Sequence, residues 1–240
     1  MKRLLMVCIL VAAFAGQATA GDIRFTSAFT SGEFRELSKE LGAALSFKNN
    51  LPPHPLGVTG FDIGAEVSVA DIKEESSHWS RTTAPSVIVL PKLRARKGLP
   101  FGIDIGGMYS NAGNTDIELY GVELTKAIIE GGPATPALGL RAAYTKLTGL
   151  SDLDLQTVGV DASIGKGFLF ITPYVGAGML WIDTEAKGEL QRLSGSLSEE
   201  IWQPRFFGGV EIKPLPLLRV IGEVEYAVRP VYSLKAAIGF

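Results

Sequence analysis

His78 is the residue with the most obvious capacity for chemistry. It lies in the run Glu74-Glu75-Ser76-Ser77-His78-Trp79-Ser80, where carboxylate, hydroxyl and imidazole crowd together. Those groups are the components of base-assisted nucleophilic attack. Neighbours in sequence are not a triad, however, because triad members converge through the fold. A polar loop accounts for the same composition, so no catalytic residue is assigned. The other histidine, His54, lies among Pro52, Pro53 and Pro55 without such neighbours. The chain contains no Walker loop, dinucleotide fingerprint, HExxH or EF-hand. No cofactor and no metal site are expected.

A larger set of chemically active groups is spread along the chain with a period of two. The acids are Asp62, Glu66, Asp104, Glu123, Asp161, Glu211, Glu223 and Glu225. The bases are Lys92, Arg94, Arg96, Arg141, Arg205, Lys213, Arg219 and Lys235. Apolar residues occupy the alternate positions. Phe61, Ile63, Ala65, Val67 and Val69 oppose Asp62, Gly64, Glu66 and Ser68. Phe101, Ile103, Ile105, Gly107 and Tyr109 oppose Gly102, Asp104 and Gly106. Leu138, Leu140, Ala142 and Tyr144 oppose Gly139, Arg141 and Ala143. Val158, Val160, Ala162 and Ile164 oppose Thr157, Gly159, Asp161 and Ser163. Val220, Val224, Tyr226 and Val228 oppose Arg219, Glu223 and Glu225. Alternation of this kind marks strands with one oily and one polar face.

Other runs are less regular. Val87 to Pro91 and Phe168 to Ile182 are apolar on both faces, and residues 116–127 and 201–213 alternate moderately. Pro85, Pro91, Pro173 and Pro204 interrupt runs and point to strand ends or bulges. The total is ten strands. Long polar gaps at 71–84 and 184–198 fall on one side of that count. Short gaps at Lys97-Gly98, Gly165-Lys166-Gly167 and Pro214-Leu215-Pro216, with the longer turn 130–136, fall on the other.

The ends of the chain carry signals of their own. Lys2 and Arg3, the apolar stretch Leu4–Ala15 and the A-x-A site Ala18-Thr19-Ala20 read as a signal peptide over residues 1–20. The apolar stretch is too short to span a bilayer. Cys8 is the only cysteine and lies within that peptide, so disulfides and thiolate chemistry are not expected in the mature chain. Loss of Lys2 and Arg3 takes 23 basic residues to 21 against 25 acidic ones, a net charge of −4. With no basic run, nucleic acid is not an expected partner. At the other end, Tyr232, Leu234, Ala236, Ile238 and Phe240 form one oily face.

A terminal strand ending on an aromatic residue, lipid-out and polar-in alternation, and long connections opposite short ones resemble bacterial outer-membrane β-barrel proteins. The resemblance covers the signal peptide and residues 57–240. It implies an all-β, antiparallel up-and-down barrel in the outer membrane. It further implies an assembly signal at Tyr232, Leu234, Ile238 and Phe240, read by the assembly machinery. The surroundings would be membrane lipid and lipopolysaccharide, with small solutes as candidate cargo. The lumen is then lined by Asp62, Glu66, Lys92, Arg94, Asp104, Glu123, Arg141, Asp161, Arg205, Glu211, Arg219, Glu223, Glu225 and Lys235. Arg96 and Lys213 fall near the periplasmic rim. Such a lumen is either an interlocked ion-pair network or a narrow porin-like passage, and a non-enzymatic role is favoured. Some barrels of this kind are proteases or lipid A-modifying enzymes with a histidine at the outer rim, so an enzyme using His78 stands as an alternative. A soluble periplasmic ligand-binding barrel is another, since alternation alone does not say which face is inside.

Residues 21–56 differ from the rest. Phe34, Leu37, Leu41, Ala44 and Leu45 recur at helical spacing, and Thr30 with Glu33 matches a capping box. Asn49-Asn50-Leu51-Pro52-Pro53 stops the helix and opens a Pro-rich linker. The oily stripe suits a charged lumen poorly, so the helix is expected at the periplasmic mouth or the membrane interface, with a luminal plug as the alternative.

Overall fold

The computed structural model describes residues 25–71, 76, 78–83, 87–111 and 117–240. The signal-peptide assignment, and Glu74, Glu75, Ser77 and Pro85, fall outside the described residues. Ten antiparallel strands form a closed barrel: β1 (Phe61–Asp71), β2 (Val87–Leu99), β3 (Ile103–Asn111), β4 (Glu118–Ile129), β5 (Ala137–Thr148), β6 (Leu153–Gly165), β7 (Ile171–Ala186), β8 (Ser198–Leu215), β9 (Leu218–Tyr226) and β10 (Pro230–Gly239). Each strand pairs with its sequence neighbours, and β10 returns to β1. Closure leaves no sheet edge exposed.

The seam between β1 and β10 is tied by the last residue. Phe240 N–H donates to the Phe61 carbonyl at 3.1 Å, Phe61 N–H donates to the Phe240 carbonyl at 3.1 Å, and the two rings pack edge to face. This end of the barrel carries the short turns. The opposite end carries the longer connections, including α2 (Gly188–Ser194) between β7 and β8.

Pro91, Pro173 and Pro204 lie inside strands, and each sits where one neighbouring ladder has stopped. Pro91 pairs with Val67 of β1, while the β2–β3 ladder starts only at Leu93. Pro173 pairs with Val210 of β8, just beyond the end of the β6 ladder at Tyr174. Pro204 pairs with Met179 of β7, before the β8–β9 ladder begins at Phe206. An imide without an N–H costs no ladder bond at such places. Two strand starts differ from expectation. Phe101 belongs to the turn Pro100–Gly102 with φ 64°, and Phe168–Phe170 form a turn with Leu169 at φ 51°. Main-chain reversal there takes precedence over the alternation of side chains.

The helix α1 (Ser31–Leu45) starts on a reciprocal cap: Glu33 N–H donates to Thr30 Oγ1 at 3.3 Å and Thr30 N–H donates to Glu33 Oε2 at 2.9 Å. Its position corrects the sequence expectation. The helix sits at the long-connection mouth, opposite the short-turn end, and its stripe faces into the barrel. Phe34, Leu37, Leu41 and Leu45 are buried against Ile88, Leu90, Met108, Leu119, Leu147 and Leu155 of the wall. Gly42 gives a close approach to β7, where a Cβ would lie 2.5 Å from Ile182 Cγ2. The lumen is therefore charged only over its short-turn half. In the other half the inward positions turn apolar, and that is where the helix buries its stripe.

Candidate functional site

The barrel interior holds a dense ionic network set by strand register. Glu66 of β1 stands opposite Lys92 of β2 and Lys235 of β10, and Arg141 of β5 stands opposite Asp161 of β6. From these positions Arg94 Nη1 donates to Glu66 Oε2 at 2.6 Å, and Arg94 Nη2 donates to Glu123 Oε1 at 3.2 Å. Arg141 bridges Glu123 at 2.7 Å and Asp161 at 2.9 Å. Arg205 clasps Asp161 with two nitrogens, at 2.7 and 2.5 Å. A Cβ on Gly159 would lie 2.2 Å from Arg205 Nη2, so glycine makes room for that guanidinium. Nearer the short turns, Arg96 meets Asp104 at 2.6 Å. Arg219 meets Glu211 at 2.5 Å and Asp62 at 3.3 Å, and Lys235 pairs with Asp62. Lys213, also bonded to Glu211 at 3.2 Å, is half exposed at the rim.

Residues 46–56, read from the sequence as a linker, run through this network. Lys48 is fully buried, and its ammonium donates to Glu225 Oε1 at 2.7 Å. Arg141 donates to the carbonyls of Phe47 and Lys48, both at 3.0 Å, and Arg94 to that of Asn49 at 3.1 Å. The Phe47 ring lies between two guanidinium groups, 4.5 Å from Arg94 and 5.0 Å from Arg141, a cation–π arrangement. Asn50 N–H donates to Glu223 Oε2 at 2.8 Å, and Ser233 Oγ donates to Asn50 Oδ1 at 3.1 Å. Lower down, Pro53 packs on Gly139 and Gly165, and Leu56 N–H donates to Asp104 Oδ1 at 3.1 Å.

The wall's buried acids are Asp62, Glu66, Asp104, Glu123, Asp161, Glu211, Glu223 and Glu225. Its buried bases are Lys92, Arg94, Arg96, Arg141, Arg205, Arg219 and Lys235, one fewer. Lys48 supplies the cation that brings the two signs level. Glu223 is the acid with no cation at ion-pair distance among the described residues. It accepts from Tyr174 Oη at 2.7 Å and from the Asn50 amide instead. The free space left among Asn49, Arg96, Asp104 and Arg141 is about 20 Å³, room for roughly one water.

His78 is buried at the opposite mouth, beside the helix. Its Nε2 stands 3.5 Å from Glu40 Oε2 of α1. The same carboxylate accepts from Trp79 Nε1 at 2.6 Å, and its other oxygen lies 2.8 Å from Arg229 Nε. Burial alone would raise the Glu40 pKa. The Trp79 hydrogen bond and the close approach of His78 and Arg229, with the charge of Arg229, outweigh burial and hold the carboxyl below its ordinary range. The group joins the first long connection, the β9–β10 turn and the helix. His54 lies far away at the short-turn end, half-buried.

Lys48, Asn49 and Asn50 were not read as interior residues in the sequence, because Asn49 and Asn50 there serve as a helix-stop signal. The available clue was the pair of runs apolar on both faces. Ile88, Leu90, Leu180 and Ile182 are inward residues of the half that receives α1.

No protein-family model and no curated protein matches the chain. Solved structures of similar shape are outer-membrane β-barrel proteins. They include the N-terminal β-barrel domain of Pseudomonas aeruginosa OprF, at 11% identity and TM-score 0.40, covering 77% of this chain and 99% of that one. The outer membrane protein Ail of Yersinia pestis gives 15% and 0.33, covering 75% and 99%. The Acinetobacter baumannii outer membrane protein Omp33 gives 10% and 0.34, covering 77% and 100%.

Proposed function

We propose that this chain is an integral outer-membrane β-barrel whose lumen is a narrow passive pathway held shut by its own amino-terminal segment. One observation carries the membrane reading: the polarity of the barrel is reversed relative to a soluble protein. Every strand turns a large apolar side chain outward, namely Ile63, Leu93, Ile105, Val122, Leu140, Val160, Val175, Phe206, Val224 and Leu234, while the buried acids and bases point in. A soluble ligand-binding barrel keeps its oily face inside. Water penalises this exterior and lipid favours it. No helix among the described residues is long and apolar enough to cross a membrane, so strands are the crossing elements.

The closed state follows from volume and charge. Eight strands leave an interior that side chains just fill, and ten enclose more. Residues 46–56 occupy the surplus. They are attached to the wall by hydrogen bonds and the Lys48 ion pair, with no covalent link except at Gly57. Withdrawing them leaves a lumen lined by facing acids and bases.

Purified mature protein in a planar bilayer tests this. The intact chain is expected to be silent, and a variant lacking residues 25–50 to conduct. The variant Lys48→Glu, which sets like charge against Glu225 and leaves the rest of the chain whole, is expected to show intermittent openings. Silence from both variants, with insertion confirmed by heat-dependent gel migration, would overturn the pathway. Failure of the intact chain to partition into membranes would overturn the membrane reading.

A further inference from the structure

The course of the segment through the barrel has a topological consequence. Phe25 pairs with Thr82, and Thr26 N–H donates to the Arg81 carbonyl at 2.8 Å. Phe29 N–H donates to Ser194 Oγ at 2.9 Å, and Arg35 pairs with Glu199 at 2.6 Å. These partners belong to the first long connection and to the connection and strand end after β7. The contacts then descend in chain order. Phe47 meets Thr145 at mid-barrel, Asn50 meets Glu223, and Leu56 meets Asp104. At the bottom, Gly57 takes φ 76°, Gly60 N–H returns to the Gly57 carbonyl at 3.0 Å, and β1 starts beside Phe240. Eleven residues from 46 to 56 can span about 36 Å when extended, more than the ~25 Å apolar band of such barrels.

We infer that this barrel carries its own amino-terminal segment across the outer membrane and displays the stretch around Phe25–Thr30 at the cell surface. The inference rests on the outer-membrane reading above, in which the long connections face outward and the short turns face the periplasm. The segment precedes β1 in the chain, and β1 pairs with the last strand, β10. The β1–β10 seam can therefore close around a segment already in place, without drawing a folded helix about 10 Å wide through a finished lumen. What holds the segment outside is specific: the Glu40 cluster, the Arg81–Glu33 ion pair at 3.0 Å and the capped helix start. A leader resting in the periplasm would leave Lys48 and the apolar half of the wall without these partners.

The expected cysteine-free mature chain makes the test direct. Single substitutions Ala28→Cys, Ser196→Cys and Ala134→Cys fall at exposed positions, the first in the segment, the second beyond α2, the third in the turn 130–136 at the opposite end. Intact cells are treated with a membrane-impermeant maleimide, with the unsubstituted chain as blank and heat-dependent migration as proof of folding. Labelling of Ala28→Cys equal to that of Ser196→Cys, with Ala134→Cys labelled only after permeabilisation, supports the inference. Labelling of Ser196→Cys alone, with Ala28→Cys reached only after permeabilisation, overturns it and leaves the membrane reading intact. Labelling of Ala134→Cys but not Ser196→Cys on intact cells overturns the orientation and the inference together.

Discussion

At the scale of single residues, the lumen is governed by whether each buried charge has a partner. Removing one member of a buried ion pair leaves the other uncompensated, at a cost of about 3–5 kcal/mol, whereas replacing both is often harmless. Lys48→Met should therefore destabilise the folded barrel by about that amount in denaturant titrations in detergent. The double variant Lys48→Met/Glu225→Gln should recover most of the loss. A double variant as unstable as the single one would show that Lys48 acts through something other than Glu225. Glu223 makes the opposite case. Its described partners are the Tyr174 hydroxyl and the Asn50 amide, and a glutamine oxygen accepts from both. Glu223→Gln should leave stability unchanged or raised, while Glu225→Gln, which strands Lys48, should lower it. Equal losses from the two would contradict this ion-pair account.

At the scale of elements, α1 is a separate body lodged in the apolar half of the lumen. It keeps its place through Phe34, Leu37, Leu41 and the Glu40 cluster rather than through any ladder. Phe34 is wholly buried, and Phe34→Ala should cost about 3–5 kcal/mol of helix anchorage. The loss should appear as protease cleavage within residues 25–45 while the strands stay protected, because opening is local. Acid should act at the same place. The Glu40 pKa is lowered in the folded state from an ordinary 4.5. Its stabilisation is then complete above about pH 5 and lost as pH falls through the lowered value. Hydrogen-exchange protection factors across α1 should be flat from neutrality to about pH 5 and fall in stronger acid. Glu40→Gln should abolish that acid-dependent fall. The strands were more legible than the helix's lodging, since Phe61–Val69 and Val158–Ile164 state their two faces outright. The interruptions at Pro91, Pro173 and Pro204 looked adverse because a one-dimensional reading does not show where a neighbouring ladder ends.

At the scale of the whole molecule, the barrel depends on lipid outside and closure at one seam. Val160 faces outward midway along β6. Val160→Arg should cost about 2–4 kcal/mol in a bilayer, with a much smaller effect at a rim position such as Phe168. Equal costs at both would argue against a membrane-spanning belt. Phe240 closes the β1–β10 seam through two main-chain hydrogen bonds and its ring contact with Phe61. Deleting it should reduce the folded yield in outer-membrane fractions, and normal yield would remove the terminal strand as an assembly signal.

Alternation with a period of two depends only on the geometry of an extended backbone, so the chain alone determined ten strands, their two faces and a preceding amphipathic helix. It also determined which charges share a face, as with Glu66 and Asp62 or Glu223 and Glu225. The location of that helix was a different kind of question. The helix has an oily stripe, and whichever surface offers a matching one takes it. That surface exists only once Ile88, Leu90, Leu147, Leu155 and Leu180 from four strands are brought together at one mouth. Lys48 likewise reads as an ordinary exposed lysine until Glu225, 177 positions away, is folded against it. Packing between segments far apart in the chain thus placed a linker inside the barrel and filled the charged interior with it. Local periodicity carries no record of that packing.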